Sequence, residues 1–118
     1  MITEDYVMRQ IDMAVRLIAR LVFKKDTAEY KIVHDVISDC DILYVELMKF
    51  LESGKINEAE NLIFERADIN DLRFLEVAIA FYDELNKYDD AFLEESGYSR
   101  EELKEGLDSM CELFGVSI

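Results

Sequence analysis

Apolar residues recur along the chain at steps of three and four and nowhere alternate over a useful length, a pattern that predicts an all-α protein. The first helix is predicted from about Thr3 to Lys24. Met8, Ile11, Val15, Ile18 and Val22 form a heptad seam along it. Val7, Ala14, Leu17 and Leu21 widen the seam into an arc of more than about 100°, while Arg9, Arg16 and Arg20 lie together opposite it. So wide an arc needs neighbours on both flanks. The seam packs either inside the monomer or against a second copy, which makes Met8, Ile11, Val15, Ile18 and Val22 the candidate interface of a homodimer.

The chain has no proline, so the later boundaries are read from caps and glycines. Asp26-Thr-Ala-Glu29 has the form of a capping box and predicts a second helix. Ser38-Asp-Cys-Asp41 breaks or caps that helix and starts a third, ending near Ser53, where Gly54 supplies a left-handed residue. A fourth helix is predicted over Ile56 to Ala67. A fifth, capped by Asn70 or Asp71, runs to Leu85 with Leu72, Leu75, Ala78, Ile79 and Tyr82 as its apolar stripe. A short helix follows Asp89 and ends at Gly97, and Ser99-Arg-Glu-Glu102 opens a last helix that stops at Gly115. The expectation is one domain over residues 1–118, built as a compact bundle or short α-solenoid of six or seven helices. It comprises an N-terminal amphipathic helix over 1–25, hairpins over about 40–97 and a C-terminal helix over 99–115.

An offset of 32 residues aligns Gly54-Lys-Ile-Asn-Glu-Ala59 with Asn86-Lys-Tyr-Asp-Asp-Ala91, and Leu43, Leu47 and Phe50 with Leu75, Ile79 and Tyr82. The stretch Leu47 to Ile63 resembles the turn and second helix of a tetratricopeptide repeat, with Gly54 at the turn, Ala59 at a close crossing and Ile63 one turn on. The early tryptophan and closing proline of that repeat are absent. The whole chain also resembles a small bacterial family without an established activity. The resemblance rests on Asp5-Tyr-Val-Met-Arg-Gln-Ile11, Gly54-Lys-Ile-Asn-Glu-Ala-Glu-Asn-Leu62, and Ser99-Arg-Glu-Glu-Leu103 with Gly106-Leu107. It implies a bacterial, cytoplasmic protein and brings no catalytic residues with it.

Charge changes this picture in one respect. The 118 residues carry a net −14, which argues against general nucleic-acid binding, and no uncharged run exceeds six residues, which argues against a membrane span. The charge is unevenly spread: residues 1–25 carry a net +2, whereas residues 83–112 hold eleven acids against three bases. The two regions either complement each other, within the fold or across a dimer, or the acidic region is a docking face for a basic partner.

Candidate chemistry is sparse. His34, Cys40 and Cys111 are the only histidine and thiols. His34 and Cys40 lie about 120° from a shared helical face, so they meet only if the helix breaks between them. Asp68-Ile-Asn70 begins like a calcium loop but lacks its glycine and closing glutamate. Gly106, inside a helical pattern, marks a tight crossing or a kink. Tyr44, Tyr82 and Tyr88 are either core residues or the lining of a groove. No cofactor, metal site or catalytic residue is predicted, and two scattered cysteines without an apolar leader point to a reducing, cytoplasmic setting. The leading expectation is a non-catalytic protein–protein interaction module or small scaffold. The alternative is a small regulatory or ligand-sensing protein with a core pocket, made adaptable by Met8, Met13, Met48 and Met110. An enzyme stands third.

Overall fold

Within a net-acidic chain one stretch, Val77 to Tyr82, is apolar throughout, and the fold is arranged around it. The computed structural model describes residues 4–32 and 37–116, with the side chain of Glu4 left out. The described residues form six helices: α1 Glu4–Val22, α2 Asp39–Glu52, α3 Ile56–Glu65, α4 Leu72–Leu85, α5 Asp90–Glu95 and α6 Arg100–Leu113. Among the described residues there is no strand.

Helix α4 packs against α1, α2 and α6. Nine of its residues, including Phe74, Val77, Ala80 and Phe81 as well as the expected Leu75, Ala78, Ile79 and Tyr82, are buried. A helix covered this widely has to be apolar on nearly every side. Leu72, predicted as part of the stripe, lies in the first turn beyond the covering helices and is 59% exposed. The seam on α1 also serves this core. Ile11, Val15 and Ile18 are almost wholly inaccessible, Val22 is half-buried, and Met8 near the helix start stays 38% exposed.

The caps follow the sequence closely. Ser38 caps α2 with a full capping box, in which its hydroxyl accepts from the Asp41 N–H and Asp41 accepts from the Ser38 N–H. Asp71, Asp89 and Ser99 cap α4, α5 and α6. Gly54 closes α2 with a φ of 72°, a conformation that disfavours residues bearing a Cβ.

The helix predicted after Asp26 is absent from the described part of that segment. Residues 26–32 run without helix, and the remainder up to 36, including His34, lies outside the described residues. Long side chains replace the helical hydrogen bonds. Lys24 turns the chain at a φ of 58°, Lys25 Nζ donates to the Glu29 carbonyl, and Arg73 Nη2 donates to the Lys31 carbonyl at 2.8 Å. Tyr30 Oη donates to Asp41 at 2.5 Å while its ring lies under the Arg73 guanidinium, 4.1 Å from the ring centre. Ala28 and Tyr30 are buried, so the segment is anchored by side chains that reach it from α2 and α4.

The 32-residue offset is carried unevenly. In the first copy, α2 and α3 form a hairpin in which Ile56, Ala59 and Ile63 are inaccessible. In the second, Asn86 is right-handed at φ −67°, α5 has only six residues, and Ala91 is exposed. Arg100 accounts for part of the difference. Its buried guanidinium donates to the Asn86 carbonyl and side chain, the Tyr88 carbonyl and Asp90, at 2.8–3.0 Å. A cation therefore satisfies carbonyls at the end of α4, where the first copy uses a glycine turn.

Candidate functional site

Once α1 has turned one side into the core, a second apolar row remains outside. Tyr6, Met13, Leu17 and Leu21 share that outer face by helical spacing, and are 46%, 70%, 42% and 56% exposed. Between α1 and α6 the row borders a groove of about 560 Å³, lined from α1 by Gln10, Met13, Ala14, Arg16, Leu17 and Arg20 and from α6 by Lys104 and Asp108. Single exposed apolar residues are ordinary, whereas a contiguous row edged by charge is a candidate docking surface.

The edges of this surface carry opposite charges. On the α1 side stand Arg9, Arg16 and Arg20, all exposed. Arg16 pairs with Asp12 at 3.2 Å, while Arg9 and Arg20 make no ion pair with a described residue. On the α6 side Glu101, Glu105, Asp108 and Glu112 recur at steps of four, three and four and are all exposed, so they line one outward row. Lys104 pairs with Asp108 at 3.1 Å within that bank. The wide apolar arc on α1 was legible in the sequence. The seam of Met8, Ile11, Val15, Ile18 and Val22 is not the exposed part of it, because Ile11, Val15 and Ile18 are enclosed by the chain's own core. In the sequence Met13 stood out only as an adaptable methionine and the α6 acids only within the acidic region 83–112, with neither placed beside the α1 row, although the spacing of Met13, Leu17 and Leu21 by four was the available signal.

The other candidate groups among the described residues are held within the fold. Cys40 Sγ lies 3.6 Å from Asp71 Oδ2, and burial with that carboxylate pushes its thiol up to about 11. Burial raises Cys111 to about 11 as well, so both are protonated at neutral pH. Tyr82 is inaccessible and donates to Glu60 Oε2 at 2.7 Å, and Tyr98 donates to the same carboxylate at 3.2 Å. Burial raises the Glu60 pKa against these two hydrogen bonds, which favour its charged form. Gly106 is the close approach anticipated for it: a Cβ there would lie 2.1 Å from Glu60 Oε2 and 2.7 Å from Tyr82 Oη. Tyr44 stacks on Tyr30 at 4.9 Å, and Tyr88 on Phe92 at 4.5 Å. Of the four methionines named as pocket candidates, Met110 is inaccessible, Met48 half-buried, and Met8 and Met13 exposed. Asp68 forms a local turn by accepting from the Asn70 N–H. Among the described residues no group of three or more His, Cys, Asp or Glu side chains is placed to hold a metal ion, and no helix is long and apolar enough to cross a membrane.

The family model described as "Family of unknown function (DUF6483)" matches residues 1–115. No curated protein and no solved structure matches the chain.

Proposed function

The chain belongs to that family of unknown function, and we propose that it acts as a non-catalytic interaction module whose docking face is the outer side of α1 with the adjoining bank of α6. The observation that carries this reading is the exposed row Met13, Leu17, Leu21 on a helix whose opposite side is packed from Ile11 to Ala19. Burying such a row on a partner removes apolar surface from water at about 25 cal/mol per Å². The protonated state of both thiols supports the non-catalytic part, since a thiol held near 11 is a poor nucleophile at neutral pH. The hairpin of α2 and α3, with Gly54 at its turn and Ala59 at its crossing, supports a tetratricopeptide-like unit as scaffold beneath the face. Two free cysteines support a reducing, cytoplasmic setting, and the sequence resemblance supports a bacterial one.

The test is site-specific photocrosslinking in living cells, with a benzophenone side chain at Leu17 and, as a control on another helix, at the exposed Glu58. A discrete crosslinked species from position 17 and none from position 58 is the expected result. No discrete species from position 17, or the same species from both positions, overturns the reading.

A further inference from the structure

We propose that the occupant of this face is a second copy of the same chain, related by a two-fold axis running along α1. The inference rests on the docking face just described and concerns who fills it. Helical spacing sets Arg9, Arg16 and Arg20 on one flank of the apolar row and the acidic bank of α6 lies beyond the other, with Arg16 and Arg20 reaching the groove that Lys104 and Asp108 also line. When such a surface meets its own copy, the direction of the two-fold decides which banks face each other. An axis perpendicular to α1, lying in the interface, makes the helices antiparallel and sets each bank against its own kind. An axis along α1 makes them parallel, sets each basic bank against the partner's acidic bank, and lets the two apolar rows meet in the middle. The surface is therefore complementary to itself in one orientation and repulsive in the other, which is how charge selects a partner and a register.

The alternative occupant is a foreign acidic helix. It would match the arginines and the apolar row, but it would lie beside the four acids of α6 without neutralising them. A second copy satisfies both banks.

The size of the face sets the strength. Helix α1 has 19 residues, so it is about 28 Å long. With α6 beside it, each helix about 10 Å across, the face covers roughly 560 Å² on each copy. Counted over both copies this is at the low end for specific interfaces, so the dimer is weak and depends on concentration. Two chains of net −14 also repel at long range. Added salt relieves that repulsion while it weakens the bank-to-bank pairs, so charge exchange discriminates better than ionic strength.

The experiment is sedimentation equilibrium on the full chain and on two charge-exchanged variants. One carries Arg16→Glu with Arg20→Glu, the other Glu105→Lys with Asp108→Lys. All four positions are exposed, so both variants retain the wild-type helical circular dichroism. The wild type is expected to shift from monomer to dimer as its concentration rises. Each variant alone dissociates at least tenfold more readily, and the equimolar mixture recovers dimer because every bank again meets its opposite. A wild type that is monomeric throughout overturns the second-copy assignment, as do variants that dimerise as well as the wild type or a mixture that recovers nothing. The crosslinks separate this failure from failure of the docking face itself. A species from Leu17 with the mass of two chains supports the second copy, one with a different mass keeps the face but assigns it to another protein, and none at all removes both.

Discussion

Gly106→Ala sets local propensity against tertiary packing. Alanine is favoured over glycine inside a helix by about 1 kcal/mol, so α6 taken alone would gain stability. The packing points the other way. The new Cβ would stand 2.1 Å from Glu60 Oε2 and 3.1 Å from Tyr82 Cε1. Glu60 is the flexible partner and must swing out, taking with it the acceptor for Tyr82 and Tyr98. Both tyrosines are buried, and a buried hydroxyl left without a partner costs about 1–3 kcal/mol. The Tyr82 ring has no free side to move into, which adds about 1–3 kcal/mol of overpacking. Set against the propensity gain, the net effect is a loss of at least about 2 kcal/mol. With a urea slope of about 1.5 kcal/mol/M the midpoint falls by at least about 1 M at unchanged slope. In a chain already carrying Glu60→Ala the same substitution costs at least about 1 kcal/mol less, because the nearest clash is gone. A Gly106→Ala chain as stable as the wild type or more so, or a cycle with no coupling, would refute the assignment of this glycine to the Glu60 contact.

Three further outcomes are expected. Ile18→Asp unfolds the chain or leaves it without a cooperative urea transition, whereas Leu17→Asp, one residue along, changes stability by less than about 1 kcal/mol; equal effects would contradict the division of α1 into an inner and an outer face. The raised pKa of Glu60 makes the native state hold its proton after the unfolded chain has lost it, so this group favours folding at low pH and the advantage is lost as pH rises through the folded value. Urea midpoints between pH 4 and 7 should therefore fall more steeply for the wild type than for Glu60→Gln, and an equal or opposite slope would be evidence against a buried, proton-holding Glu60. With Cys40 at about 11, roughly one thiol in a thousand is ionised at pH 8, so native Cys40 reacts with a disulfide reagent about two hundredfold more slowly than free cysteine. Reaction at the free rate would show that Cys40 is not held beside Asp71.

Much of the helical architecture is local and was legible for that reason. The caps at Ser38, Asp71, Asp89 and Ser99, and the turn at Gly54, each satisfy backbone groups within a few residues, so short motifs specify them. The long-range placement of side chains was not legible. Asp26-Thr-Ala-Glu29 has a capping box's spelling, yet Lys25, Arg73 and Asp41 hold the segment that follows from 4 to 42 positions away, and their hydrogen bonds replace the helical ones. In the sequence Arg100 is only the second residue of the Ser99-Arg-Glu-Glu102 capping box, and only the fold shows it closing the end of α4. The same division runs through the candidate site. The sequence by itself determined that α1 is apolar over more than one face and that charge is unequal between the two ends of the chain. Which face turned inward was decided by tertiary structure alone: periodicity records that residues share a side of a helix, but only the positions of α4 and α6 determine which side they cover. They enclose Ile11, Val15 and Ile18, and they leave Met13, Leu17 and Leu21 outside between two banks of opposite charge.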